Sequence, residues 1–410
     1  MTRRRVIVVA HGHPDFSKGG AEIAAYTLFK ALKADGRFEC LFVAADARPM
    51  HLGTVFSQHR PDEILLHHAT VAFTCGSQDL LGIGNEWREF ITAWNPDVVH
   101  FHHYVNIGVE LPRITKLAKP DCRVLMTLHE YIAICRHNGQ MVKTQGMVLC
   151  DRSSPAECHR CYPDVPATEF ALRTIYFKAC FAAVDLFIAP SEFLRQRYID
   201  WGLESHRIVQ IENLVDIDPA AIAEPDTLLP PGEDQKLIIG YFGQINPYKG
   251  VAELLEAVRD LDDEVKSCIE LRLHGANLSM QTAAFKERVE TLIEECGKMV
   301  VNVGPYERSQ LPHLLRSVHY VVVPSVWWEN SPLVIQEAKV MGRPVMVRGI
   351  GGMKEKVGKS DLSYFSKEDF RACLRSALSA PFPPERSTDG GGASSGQSLL
   401  NHHCVSESVQ

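Results

Sequence analysis

Long apolar runs are missing from this chain of 410 residues, and so is any excess of basic charge. The longest apolar stretch, around Ala179 to Ala189, is broken by Asp185 and falls short of the roughly 20 residues that a membrane-spanning helix needs. Lysine and arginine number 43 against 50 aspartates and glutamates, a net charge of −7, which excludes the basic footprint of a protein whose main partner is nucleic acid. No nucleic-acid-binding module and no short-period repeat is visible. The opening residues, MTRRRVIVVAHGHP, begin with positive charge, but the apolar run from Val6 to Ala10 is too short for a secretory leader and reads as a first β-strand. The expectation is a cytoplasmic protein that spans no membrane, with peripheral association at the inner face still open. Disulfide scaffolding is not expected from twelve cysteines in so long a chain without a secretory signal.

What the chain does have is a rhythm of short β-branched runs. They fall at 6–10, 40–45, 97–103, 123–129, 185–191 and 207–213, each separated by room for a helix. After the polar, proline-rich stretch 223–235 the series restarts at 236–243, 268–275, 299–304, 319–325 and 344–349. Continuous apolar strands alternating with helices predict parallel sheets covered on both faces. The length exceeds what one core usually supports. The expected fold class is therefore α/β, two doubly wound Rossmann-like domains over residues 1–215 and 216–380, facing a cleft where strand ends collect ligand. Residues 381–410, rich in glycine, serine and proline, read as a disordered tail.

The segment WWENSPLVIQEAKVMGRP (327–344) sets Glu329 before a helix and Glu337 inside it. Ser331 is expected to be the N-cap and Pro332 the first helical residue, since proline has no N–H to leave unpaired there. The free N–H groups of that helix, followed by Leu333, would face the strand end at Ser325 and suit a diphosphate. Ser331 to Glu337 is roughly 9 Å at the helical rise, about the reach from a diphosphate to the far edge of a ribose. Glu337 would then accept from ribose hydroxyls, and Glu329, beside Asn330, from the sugar. The alternative is that Glu337 pairs with a nearby lysine or arginine and Glu329 is a solvated loop acid.

This stretch resembles the Glu-x7-Glu signature of the retaining glycosyltransferases of family 4, which have the GT-B fold. Further stretches match in order: KGGAE (18–22), PDVVHFH (96–102), TLHEY (127–131), FGQINPYKG (242–250) and GGMKEKV (351–357). The resemblance runs over residues 5–375. It implies an N-terminal acceptor-side domain and a C-terminal domain for a nucleotide-diphospho-sugar donor, with transfer to a glycan or lipid-linked acceptor in cell-surface polysaccharide synthesis. It implies that Gly19 and Gly20 approach the diphosphate and acceptor, with Glu22 nearby, that His129 contacts the donor sugar, and that Gly304, Pro305 and Tyr306 flank the base. Lys249 would neutralise the leaving diphosphate; its loop is no Walker motif, lacking the glycine before and the Ser/Thr after the lysine. Relatives commonly carry arginine where this chain has Gln244. No residue is an evident nucleophile, and a front-face mechanism without a required cofactor is implied. A nucleotide-sugar epimerase of the same fold and a non-catalytic GT-B scaffold are the competing readings.

Two metal readings arise. His100 and His102 share a strand face, followed by His103, but no carboxylate or cysteine stands at ligand spacing in sequence. Asp216-Ile217-Asp218 resembles a divalent-cation motif of another transferase fold, and is instead expected to be a turn at the domain junction. Cys135, Cys150, Cys158 and Cys161 fall in one polar insertion. A structural zinc, free thiols and disulfides all remain open for them.

Overall fold

A computed structural model describes residues 3–46, 54–67, 70–79, 82–232, 235–382 and 401–403. The chain divides into two units. The first runs to Leu214 and takes in residues 401–403; the second begins at Val215.

In the first unit the strands are β1 (Arg4–Ala10), β2 (Phe38–Asp46), β3 (Phe56–Arg60), β4 (Glu63–His67), a small hairpin of β5 (Thr70–Val71) and β6 (Gly76–Ser77), then β7 (Val98–Phe101), β8 (Arg123–Thr127), β9 (Leu186–Ala189) and β10 (Ile208–Gln210). Eight of them make one sheet in the order β10-β9-β8-β7-β1-β2-β4-β3, parallel except for β3. Val6 to Ala10 are wholly buried, as an interior parallel strand requires. The Gly20–Ala34 helix covers β1 and β2 with Ala25, Leu28, Phe29 and Leu32, a stripe at helical spacing. Because β1 lies between β2 and β7, the loops leaving β1 and β7 diverge at that point.

The second unit holds a six-stranded parallel sheet. Its strands are β11 (Leu237–Gln244), β12 (Ile269–Ala276), β13 (Val300–Asn302), β14 (Tyr320–Val323), β15 (Val345–Arg348) and β16 (Leu362–Tyr364). The order β13-β12-β11-β14-β15-β16 is the doubly wound 3-2-1-4-5-6 arrangement. Successive β11 residues serve opposite faces. Leu237, Ile239 and Tyr241 join the core under the Val251–Arg259 helix, whereas Ile238 and Phe242 join the core under the Leu333–Val340 helix. The two helices therefore lie on opposite faces, and the loops that lead to them part between β11 and β14.

All eleven expected strands are present. The sequence reading omitted β3, where FSQHR carries no apolar pattern, its partner β4, the two-residue strands β5 and β6, and the short β16. Part of the segment read as a disordered tail is built into the first unit: His403 is fully buried, its carbonyl accepts from Arg4 Nη1 at 3.0 Å, and its ring meets His100. Arg123 holds the His402 carbonyl at 2.9 Å. These anchors are polar, so apolar patterning gave no sign of them. Residues 383–400 and 404–410 lie outside the described residues. Among the described residues no helix is long and apolar enough to cross a membrane.

Candidate active site

The loops that part between β11 and β14 carry Lys249 and Glu329, and their side chains meet. Lys249 Nζ lies 2.6 Å from Glu329 Oε1. The same oxygen accepts from Ser325 Oγ at 2.8 Å and from Trp327 Nε1 at 2.9 Å. Glu329 is buried, which makes it anything but a solvated loop acid, and three donors meet the requirement that a buried carboxylate be hydrogen-bonded. Lys249 keeps 29% of its side chain exposed, so it remains reachable by an incoming anion.

The backbone holds this pair by close approaches that only glycine permits. Gly250 has φ of 72°, and a Cβ there would lie 2.0 Å from the Pro324 carbonyl oxygen. Val326 N–H donates to the Tyr248 carbonyl at 2.9 Å, tying the two loops together. Gly351, the first residue of the short Gly351–Lys354 helix after β15, has φ of 58°, and a Cβ on it would press the Glu329 backbone at 2.8 Å, while Gly352 N–H donates to the Glu329 carbonyl at 2.8 Å. The Gly-Gly of GGMKEKV thus fixes the acid's main chain. Gln244, at the exposed end of β11, brings no charge to this group.

Two expectations about the helix need correction. It begins at Leu333 with Pro332 as N-cap, at φ of −58° and ψ of 120°, and no side chain caps it. The Ser331 hydroxyl is diverted, accepting from Gln336 Nε2 at 3.3 Å. Pro332 and Leu333 remain partly exposed, so the helix tip is open to solvent, beside buried Asn330. Glu337 is not free: Arg308 Nη2 lies 2.6 Å from its Oε1, which is the pairing the alternative reading anticipated. Burial raises the Glu337 carboxyl above the ordinary range, and Arg308 pulls it back. Sequence reasoning missed Arg308 because the two residues meet only through the loop after β13.

That loop also carries Gly304, with φ of 86° and open space where a Cβ would stand, and Tyr306. The Tyr306 ring stands edge-on to Phe242 and His274, which are themselves stacked at 4.6 Å with an interplanar angle of 5°. Burial pushes the Tyr306 hydroxyl up to about 12 and the His274 imidazole down to about 4, so both are neutral near pH 7.

In the first unit Gly19 is the N-cap of the Gly20–Ala34 helix, and a Cβ on it would meet Glu22 Oε2 at 2.3 Å. Buried Glu22 turns back over this loop to the Ser17 hydroxyl and to His11, at 3.3 Å. The His11 ring lies against that of His103, tilted by 43° with centroids 4.3 Å apart. His129, just past β8, bonds His102 at 3.1 Å, and His100 and His102 share a face with centroids 4.5 Å apart. Burial is the largest cause holding all of them below the ordinary imidazole range, His129 at about 3. A carboxylate does join this cluster, although its sequence spacing gave no hint. Glu130 Oε1 stands 3.4 Å from His103 Nε2, and burial pushes the Glu130 carboxyl up to about 8 against the pull of the Ile132 N–H. Among the described residues these histidines form no set of ligand atoms close enough for a metal. The one such set is His13, His59 and Glu63, already satisfied by a 3.0 Å His13–Glu63 bond and by Arg60, which bonds Glu63 at 3.1 Å.

Asp218 accepts from Ala220 N–H at 2.9 Å and caps the Pro219–Ala223 helix, the turn expected for Asp216-Ile217-Asp218. Cys135, Cys150, Cys158 and Cys161 line one pocket, and no disulfide joins any of them.

Comparisons with known proteins bear on this arrangement. The profile described as Glycosyltransferase Family 4 matches residues 18–219, and that described as Glycosyl transferases group 1 matches residues 230–384. Over 123 residues, 30% of this chain and 28% of the relative, it is 33% identical to a D-inositol 3-phosphate glycosyltransferase of Xylanimonas cellulosilytica. Over 126 residues, 30% of this chain and 32% of the relative, it is 29% identical to a lipopolysaccharide 1,2-N-acetylglucosaminetransferase of Salmonella typhimurium. The chain thus matches under a third of the length of these curated relatives. Among solved structures, Anabaena HepE in complex with UDP and glucose superposes with a TM-score of 0.62 at 16% identity, covering 98% of each chain. Sucrose-phosphate synthase of Thermosynechococcus elongatus superposes with a TM-score of 0.66 at 17% identity, covering 98% of this chain and 96% of that one. These likenesses show the fold, two Rossmann-like domains of the GT-B kind.

Proposed function

The chain belongs to glycosyltransferase family 4, with the group 1 domain in its second half, and on that premise we propose that it moves a sugar from a nucleotide-diphospho-sugar to a glycan or lipid-linked acceptor in cell-surface polysaccharide synthesis, with retention of configuration. The observation that carries this reading is the Lys249–Glu329 contact where the second sheet's loops part, the place where open parallel sheets bind ligand.

The division of labour follows from the chemistry of each group. Lys249, held by Glu329 yet partly exposed, neutralises the diphosphate as the glycosidic bond lengthens, and the open tip at Pro332 and Leu333 adds backbone dipoles on the same charge. No divalent cation is needed in this scheme. Glu329 accepts from sugar hydroxyls, Glu337 from the ribose, and the loop with Gly304 and Tyr306 borders the base. Donor binding at Glu337 requires Arg308 to yield part of its bond or to turn toward the nucleotide. In the first unit, Gly19, Gly20 and His129 serve the acceptor and the transferred sugar, at the inner face of a membrane when the acceptor is lipid-linked. The departing diphosphate takes the acceptor's proton, as a front-face mechanism without a protein nucleophile demands.

A second reading rests on Gln244. A neutral side chain where relatives commonly carry arginine leaves the leaving group with one cation fewer, which favours a donor-binding scaffold without turnover. A thermal-shift panel of nucleotide-sugars followed by donor-hydrolysis and transfer assays separates the readings. Binding with turnover supports the transferase, binding without turnover under every acceptor supports the scaffold, and donor isomerised without acceptor identifies an epimerase.

A further inference from the structure

Between β8 and the Ala167–Phe181 helix the chain travels far with little regular structure. It contains the isolated bridge Val142↔Leu149 and the Pro155–Cys161 helix, none of whose residues is buried. Its first part buries Tyr131, Ala133, Ile134, Met141 and Val142, but no residue from 143 to 169 is buried, and a stretch of that length without a core of its own needs another constraint to stay ordered. Four cysteines fall in this connection. Cys135 sits in a turn whose N–H donates to the Tyr131 carbonyl at 2.7 Å; Cys150 follows the bridge, donating to the Met141 carbonyl at 2.7 Å; Cys158 and Cys161 stand three apart on one helix face. All four line one pocket, and none is in a disulfide.

We propose that Cys135, Cys150, Cys158 and Cys161 bind one structural zinc ion that braces the 131–161 segment beneath His129 and Glu130. Four thiolates are the donor set of a closed, structural zinc site, and a Zn(Cys)4 centre carries net negative charge. Arg136, Lys143 and Glu157 line the same pocket; Lys143 is paired with Glu157 at 2.9 Å, and Arg136 offsets part of that charge. Among the described residues no three of these sulfurs lie within 4.8 Å of one another. A tetrahedron with Zn–S of about 2.3 Å sets them about 3.8 Å apart, so binding draws the thiols inward.

The consequence reaches the strand end. The turn that starts at Cys135 closes at Gly139, whose φ is 68° and where a Cβ would stand 2.2 Å from Glu130 Oε2 and 2.7 Å from Ile132 N. Tyr131 N–H donates to the Gly139 carbonyl at 3.2 Å, and Arg173 Nη1 donates to the Ala133 carbonyl at 2.8 Å. A metal on Cys135 therefore fixes the turn that lies on Glu130. The cysteines are positioning residues in this account, with no part in the transfer itself.

The test is metal analysis of the full chain purified without added metal, with cobalt substitution and hydrogen exchange. The expected result is one zinc per chain, a cobalt form with sulfur-to-metal charge-transfer absorption, and faster exchange in 131–161 but not in the second unit once the metal is removed. Cys158→Ser and Cys161→Ser lose the zinc, while Cys268→Ser, an exposed cysteine elsewhere, keeps it. Should the serine variants fail to fold, the metal content of the unaltered chain still decides. No zinc with four rapidly reacting thiols, a disulfide between any two of the four, or the visible spectrum of an iron–sulfur cluster would each overturn the proposal.

Discussion

Glu329 Oε1 and Lys249 Nζ lie 2.6 Å apart although 80 residues separate them in the chain, and a serine hydroxyl and an indole N–H converge on the same oxygen. A lysine alone would be a mobile surface charge. Held by a buried carboxylate, it is fixed where the two loops of the second sheet diverge.

If this pair serves the transfer, Glu329→Gln and Lys249→Ala each lower kcat by about 10²–10³, the usual cost of removing one preorganised charge-stabilising group. The double variant loses little more than the worse single one, because residues in contact couple. Transfer kinetics on all three, with circular dichroism to confirm folding, check this.

Glu337 sits in competition between Arg308 and the ribose. Glu337→Gln loses a charged acceptor for the ribose, so the donor KM rises roughly tenfold, matching about 1.4 kcal/mol, while kcat changes less. Arg308→Ala leaves Glu337 buried without its partner and lowers stability by about 1–3 kcal/mol. Nucleotide addition then raises the melting temperature of that variant more than that of the parent chain, which differential scanning fluorimetry reads directly.

Gly250→Ala is expected to cost about 1–3 kcal/mol, since an alanine must hold φ of 72° and its Cβ would overlap the Pro324 carbonyl. The loop bearing Lys249 moves to relieve that overlap. Urea titration gives the stability loss, and donor affinity should fall with it.

The histidine cluster of the first unit predicts an acid limb. His100, His102, His103 and His129 have folded-state values below the ordinary imidazole value of about 6.5, His129 at about 3. Below about 6.5 the unfolded chain binds more protons than the folded one, so stability falls as pH drops through the window down to those depressed values. Glu130 acts in the opposite sense. Its value of about 8 lies above the unfolded carboxyl value of about 4.3, so its contribution is present at low pH and is lost as pH rises toward and through about 8. Melting temperature measured against pH should show both trends, and His129→Gln should move the acid limb to lower pH.

Much of the architecture was legible because interior parallel strands are continuous apolar runs. VIVVA and KLIIGYFG announce themselves, and the Gly-Gly and Ser-Pro punctuation marks where loops turn into helices. FSQHR escaped notice as an antiparallel edge strand with no apolar face. The start of the Leu333–Val340 helix was misplaced by one residue because Ser331 spends its hydroxyl on Gln336, a partner that local capping rules do not foresee. Glu329 and Lys249 stood out by motif, but Trp327, Arg308 and Glu130 did not. Their roles arise from burial and from loops brought together by the sheet order, and neither leaves a mark in local sequence.

The account stands most directly on calorimetric titration of the unaltered chain and of Lys249→Ala with a panel of nucleotide-diphospho-sugars. It predicts that one member binds at a single site per chain and that Lys249→Ala weakens this binding at least tenfold. No binding by any member, or equal affinity in the two proteins, would contradict it.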